Sequence, residues 1–250
     1  MHDFHLHLAR LSNPENIADE LNRRGYHYVD VGCEPWEWTK VRDLNRAEVS
    51  CTGKCAEVNC AAYGIHPMIA EKATEEDFAT LRKVLESDPD AQVGEAGLDR
   101  RFPGYEPGGV QESVFRRQAE LALELGRDLQ IHCVGDYMRI VKVLREAGFK
   151  TGVPQNNVPR PIFHRFGGDV SAVRAGIELG AIFSLHKDSF RKKSTVAAIP
   201  LIPTDSVRFE TDADETYCKA CAVPTKEIAE ALIKDLGDVQ RLYELAIKGA

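Results

Sequence analysis

In MHDFHLHL, His5 and His7 alternate with the apolar Phe4, Leu6 and Leu8. Period-two alternation belongs to a strand, where residues i and i+2 share a face, so both imidazoles point one way and the apolar side chains the other. Imidazole is the commonest metal ligand, and two on a rigid strand have little conformational freedom left to lose on binding. The plainer alternative is a pair of surface histidines near a chain end. Further candidates stand in six other short contexts: His66 in GIHP, Glu95 in VGEAGLD, His132 in QIHC, His164 in IFHRF, His186 in SLHK and Asp212 in FETDAD. His5, His7, His132 and His164, with Glu95 and Asp212, match in number and type what two divalent metal ions need while leaving positions for water and substrate. The nitrogen-rich set favours zinc or manganese, with magnesium possible, and Glu95 is the natural bridge. Such ions bring the pKa of water toward neutrality and stabilise the attacking and leaving oxygens of a displacement, so the reaction class is hydrolysis. Asp212 can ligate a metal and, if its second oxygen stays free, accept a proton from the attacking water. His66 and His186 lie on the same rim without being needed as ligands. His66 is assigned to the substrate's developing negative charge, and His186 to a phosphate contact, with a structural role as its alternative.

A repeating strand-helix pattern must position these residues. After the first strand, Asn13 and Pro14 read as N-cap and first residue of a helix to Arg24 that stops at Gly25. Strands follow at Tyr26 to Val31, Val58 to Ile65, Ala91 to Gly94, Leu129 to His132, Ile162 to His164, Ala181 to Leu185 and Val207 to Glu210. Helices are expected at Pro35 to Ala47, Thr74 to Leu85, Val110 to Leu125, Tyr137 to Ala147, Val170 to Leu179 and Ser194 to Ile199, with two more at Lys226 to Ile233 and Asp238 to Ile247. A polar segment, Asp99 to Gly109, interrupts after the fourth strand. Eight strand-helix units in 250 residues have the count and size of an α/β (β/α)8 TIM barrel, read as a single domain over residues 1–250. A doubly wound open sheet is the alternative, but no glycine fingerprint follows the first strand. A barrel carries its chemistry at the C-terminal ends of its strands, and of the eight histidines only His2 and His27 fall elsewhere.

Composition narrows the setting. No apolar run is long enough to span a membrane, and acid and histidine stand where a signal peptide would carry a basic and then an apolar block. Seven scattered cysteines fit a reducing compartment better than a disulfide framework, so a cytoplasmic protein without a membrane partner or an obligatory protein partner is expected. The net charge of −7 disfavours broad nonspecific nucleic-acid binding, while a local basic rim or bound divalent cations could still hold a phosphate.

HDFHLHL, GIHP, GEAGLD, QESVFRRQAELALELG, IHC, HRF and FETDAD occur in an order and spacing that resemble the TatD-type metal-dependent DNases of the amidohydrolase superfamily, over nearly the whole chain. The resemblance implies a (β/α)8 barrel with a two-metal site that hydrolyses DNA phosphodiesters, typically as a 3′ to 5′ exonuclease on single strands. It implies one metal held by His5, His7, Glu95 and Asp212, the other by Glu95, His132 and His164, and His66 as a substrate-binding histidine. Three departures touch the substrate side. Met68 replaces a usual histidine, HRFGG differs from the usual serine-containing loop, and ADETYCKACAVP shortens the segment after Asp212. A two-metal amidohydrolase or esterase acting on a small molecule or aminoacyl ester is therefore the second reading. A metal-binding interaction module without turnover is the third.

Arg100, Arg101, Lys187, Arg191, Lys192 and Lys193 follow strands four and seven and could track a nucleic-acid backbone, or be ordinary solvated charge. Arg100 is counted among the substrate contacts. Trp36 and Trp38 either stack bases at the rim or pack on a neighbouring element. Cys51, Cys55 and Cys60, with Cys33 nearby and the Cys218 to Cys221 pair, match no common zinc module and read as free thiols.

Overall fold

In the computed structural model, the short apolar runs form eight parallel strands paired in chain order, among residues described over 1–46, 59–150, 158–218 and 224–249. They are β1 His2–Leu6, β2 His27–Gly32, β3 Cys60–Tyr63, β4 Gln92–Asp99, β5 Leu129–Val134, β6 Pro161–Phe163, β7 Ile182–Leu185 and β8 Val207–Phe209. Between and after them lie α1 Pro14–Arg23, α2 Pro35–Arg46, α3 Glu75–Ser87, α4 Val110–Leu125, α5 Tyr137–Ala147, α6 Val170–Glu178, α7 Lys193–Ala198 and α8 Thr225–Lys248. Strictly sequential order leaves no point where the winding reverses, so this is the (β/α)8 barrel and not the open sheet. The last seam is closed just beyond β8. There the Asp212 N–H donates to the His5 carbonyl at 2.9 Å and the His7 N–H to the Ala213 carbonyl at 2.8 Å. Residues that carry candidate chemistry thus also lock β1 to the end of β8.

Local sequence explains most boundaries. Thr74 and Asp77 form a reciprocal capping box at the start of α3. Gly126 and Gly148 end α4 and α5 in the left-handed region, where an L side chain would be strained. Asn13 precedes α1 as expected but makes no side-chain cap, because its own backbone is left-handed at φ 56°. The two helices expected at the C-terminus are one helix, α8. Gly237 costs it only about 1 kcal/mol of propensity, and buried Leu232, Leu236 and Val239 continue one apolar face across that point. The third strand is shorter than the sequence suggests, and Val58 and Ala47 lie outside the described residues.

β4 runs further than expected, through Glu95 to Asp99, because glycines let it pass close to β5. A Cβ on Gly97, at φ 156°, would stand 1.9 Å from the His132 carbonyl oxygen, and one on Gly94, at φ 126°, 2.5 Å from that of Gln130. Gly97→Ala should therefore cost at least about 3 kcal/mol, read as a lowered urea midpoint with unchanged slope. An unchanged midpoint would mean that β4 and β5 separate freely here.

Apolar side chains of the outer strand faces pack under the helices, as in the aromatic cluster of Tyr137, Phe163, Phe166 and Phe183. The barrel interior is more polar. Gln130 donates to Gln92 Oε1 at 2.9 Å and to the Phe4 carbonyl at 3.1 Å, which makes a hydrogen-bonded layer beneath the histidines. Among the described residues, no helix is long and apolar enough to cross a membrane.

Candidate metal centre

Seven of the predicted residues meet at the C-terminal mouth of the barrel. His5 lies on β1 with His7 just beyond it, His66 follows β3, Glu95 is in β4, His132 in β5, His164 follows β6 and Asp212 follows β8. Glu95 is the hub. Its Oε1 contacts His132 Nδ1, with His164 Nε2 at 3.0 Å and His66 Nε2 at 3.7 Å; its Oε2 faces His5 Nε2 at 3.4 Å and His7 Nε2 at 3.8 Å. Asp212 Oδ1 lies 3.4 Å from His7 Nε2 and 4.0 Å from His5 Nε2. All seven residues are buried or nearly so.

The far side of each ring has a partner. His7 Nδ1 donates to the Val31 carbonyl at 2.9 Å, which leaves the Nε2 lone pair for the site. His5 Nδ1 pairs with Gln130 Oε1 at 3.3 Å, His132 Nε2 with Asp99 Oδ2 at 2.8 Å, and His164 Nδ1 with Glu210 Oε1 at 3.0 Å. Such outer hydrogen bonds fix tautomer and orientation in metal-ligating histidines. His5 Nε2, on a side chain without exposure, has no hydrogen-bond partner, an arrangement that costs free energy unless a cation takes the lone pair. The donor set fits a divalent metal. His66 is different: the Met68 N–H donates to its Nδ1 at 3.0 Å, so Nε2 carries the hydrogen and the ring offers the site a donor.

Sequence reading missed Asp99, Glu210, Cys33 and Arg165. Asp99 was within reach, since Glu95, Gly97 and Asp99 share one face of β4 by period two. Glu210 precedes Asp212 by two residues in the same motif. Cys33 follows β2, a strand end given no role, and its Sγ lies 3.3 Å from Glu95 Oε2. Arg165 had no signal in the sequence. At φ 44° it turns its guanidinium back across the mouth, where Nη1 donates to Asp212 Oδ2 at 2.5 Å and Nη2 to Asp188 Oδ2. The second oxygen of Asp212, whose freedom was the condition for its accepting a proton, is therefore engaged.

Protons stand in for cations among these groups. Burial opposes charge on Glu95, but His164, His132 and His66 hold its carboxyl well below the usual range. Asp212 is likewise held down, against its burial, by His164, His7 and His5. Burial works against the His7 imidazolium, yet Asp212 and Glu95 outweigh it and push His7 up to about 9. Since a ligating imidazole must be neutral, ion binding below about pH 9 displaces that proton. Affinity for zinc should then climb about tenfold per pH unit for each proton released between roughly pH 6.5 and 9. Zinc titration with a competing chelator at several pH values checks this, and a flat profile would show His7 to be neutral already. Metal-free stability follows the opposite course. A raised histidine stabilises the fold fully below its unfolded value, near 6.5, and loses that contribution as pH rises through about 9.

Two predicted substrate contacts stand apart from the hub. His186 Nδ1 accepts the Asp188 N–H at 3.1 Å and caps the short turn Lys187–Phe190. The Arg100 side chain is exposed and, among the described residues, makes no ion pair, whereas its neighbour Arg101 clasps Asp99 behind His132. Arg191 and Lys187 are paired with Asp188 and Asp235, which reduces the free charge of the basic rim. Trp38 is buried and donates to the Gly64 carbonyl at 3.2 Å; Trp36 is exposed. Cys33 and Cys133 are free thiols, and Cys51, Cys55, Cys221 and the side chain of Cys218 lie outside the described residues.

Comparison with known proteins identifies the family and the fold. Residues 2–238 match the family model described as TatD related DNase. The chain is 31% identical over 159 residues to the uncharacterized metal-dependent hydrolase TatD of Mycobacterium tuberculosis, covering 61% of this chain and 57% of the relative. It is 30% identical over 156 residues to the 3′-5′ ssDNA/RNA exonuclease TatD of Edwardsiella piscicida, again 61% and 57%. The chain thus spans little more than half the length of these two curated relatives. The fold is similar to the crystal structure of YjjV, a TatD homolog from Escherichia coli, with a TM-score of 0.70 at 21% identity over 94% of this chain and 95% of that one. A TatD family hydrolase from Entamoeba histolytica gives 0.68 at 15% identity over 98% and 94%. By a family match that takes in every strand and all the residues gathered around Glu95, the chain belongs to the TatD related DNase family.

Proposed function

We propose that this protein is a phosphodiesterase that works with two divalent ions and removes nucleotides from the 3′ end of single-stranded DNA or RNA. One observation carries the reading: the two oxygens of Glu95 serve different histidine clusters, so a single buried carboxylate can be shared by two cations. His5, His7, Glu95 and Asp212 would hold one ion, and Glu95, His132 and His164 the other. Zinc or manganese suits the donors best, and magnesium is the weaker candidate. When bound, such ions activate water for attack and neutralise charge on the phosphoryl oxygens. The polarity and the single-strand preference rest on the exonuclease relative from Edwardsiella piscicida.

The remaining roles belong to the chain's own groups. His66, kept neutral by burial, presents its Nε2–H to a phosphoryl oxygen as negative charge develops there. Asp212 takes a proton from the attacking water. Arg165 turns its Nη1 from Asp212 Oδ2 to a phosphate at the mouth, which orients that phosphate and frees the carboxylate oxygen. Arg100 and His186 are more distant candidates for the nucleic-acid backbone. Free thiols at Cys33 and Cys133 are in keeping with action in the cytoplasm.

The test is digestion of 5′-labelled single-stranded DNA and RNA with zinc, manganese or magnesium, alongside metal content. A ladder that shortens from the 3′ end is expected. Two bound ions per chain with both oligonucleotides intact would keep the metal centre and overturn nucleic acid as substrate.

A further inference from the structure

We infer that Cys33 is a thiolate ligand of the metal centre, adding sulfur to the nitrogen and oxygen donors of His7 and Glu95. This rests on the metal centre proposed above and extends it to a residue outside the set that the resemblance implies. Cys33 closes β2 at the same mouth, and only 1% of its surface is exposed. Its Sγ lies 3.3 Å from Glu95 Oε2, which is itself 3.8 Å from His7 Nε2. Donor atoms around a tetrahedral zinc, with bonds of about 2.0 to 2.3 Å, stand roughly 3.3 to 3.8 Å apart. Both separations fall in that range, the sulfur also lies 3.8 Å from His7 Nδ1, and the three side chains bring donor atoms within 4.8 Å of one another.

Two further observations support a ligand over a mere hydrogen bond. The sulfur faces the same carboxylate oxygen that faces His5, whose Nε2 is fully buried, lacks a hydrogen-bond partner and lies 3.4 Å from that oxygen. Cys33 thus stands on the cation's side of Glu95 and not behind it. Its backbone is also held, because the Cys33 N–H donates to the buried Glu37 at 2.6 Å and Arg10 clasps the other Glu37 oxygen. As the sulfur-metal bond forms, the S–H bond breaks and its proton leaves to solvent, with no change of oxidation state. A thiolate shifts preference toward zinc and away from manganese.

Cobalt(II) loading of the whole protein tests this without reference to turnover. Visible ligand-field bands report the metal centre, and a near-ultraviolet sulfur-to-cobalt charge-transfer band reports the thiolate. The expected result is both in the wild type, with the charge-transfer band alone lost in Cys33→Ser and in Cys33→Ala. Zinc affinity of Cys33→Ser should fall about tenfold or more while manganese affinity changes several times less. Ligand-field bands without charge transfer, or a charge-transfer band that survives Cys33→Ser and so comes from another cysteine, overturn the inference and leave the metal centre standing. No cobalt uptake overturns both. Should the variants fail to fold, X-ray absorption on zinc-loaded protein with Cys51, Cys55, Cys218 and Cys221 changed to serine decides: a sulfur shell at about 2.3 Å supports Cys33 as ligand, and a shell of nitrogen and oxygen alone overturns it.

Discussion

Glu95→Gln should lower phosphodiesterase activity on the order of 10³-fold or more, and bound metal should fall below two ions per chain. Glutamine keeps the volume and the hydrogen-bonding reach, so the loss isolates the charge. That charge faces five imidazoles: His66, His132 and His164 at one oxygen, His5 and His7 at the other. With a neutral amide in its place, neither cluster has the carboxylate that two cations would share. The metal-free protein gives a second readout. A carboxylate held below its ordinary value stabilises the fold above the unfolded pKa, near 4.3, and loses that contribution as pH falls through its folded value. Glu95→Gln should therefore be less stable than wild type to urea at pH 7, with the gap closing below about pH 4. Metal analysis that finds two ions in the variant would overturn Glu95 as the bridge.

Asp212→Asn is the second large effect. It should reduce kcat by about 10² to 10⁴-fold, the range for loss of a general base. The substitution suits the site because Asp212 sits at φ 50°, a left-handed conformation that asparagine adopts as readily, and its N–H bond to the His5 carbonyl does not depend on the side chain. The result is read against Arg165→Ala. Arg165 holds Asp212 Oδ2 at 2.5 Å, so the carboxylate takes a proton there only when the guanidinium turns to another anion. If that anion is a substrate phosphate, Arg165→Ala should raise KM about tenfold and leave kcat within a few-fold. A kcat that falls as far in Arg165→Ala as in Asp212→Asn would move the chemical step onto the guanidinium and away from the carboxylate alone.

The sequence by itself determined the barrel and where its chemistry gathers. Strands buried on both faces must be short apolar runs, helices must close on caps and glycines, and a parallel barrel must present its strand ends at one mouth. His5 and His7 were legible because a strand's period is two, and Glu95, His132, His164 and Asp212 because each ends or nearly ends such a run. Those are local rules, and they act within a few residues. Continuity of α8 across Gly237 was not legible, since propensity registers the glycine while the buried face that overrides it is tertiary. Nor were the outer partners of the rings. Asp99 meets His132 across two strands, Glu210 meets His164 from β8 to β6, and Arg165 reaches Asp212 through a backbone turn that no residue type announces. His186 shows the converse, a histidine at the expected strand end whose nitrogen caps its own turn. Which nitrogen carries a proton, which oxygen is engaged and which sulfur faces the site depend on atoms brought within about 3 Å by closure of the barrel, and that only the tertiary structure decided.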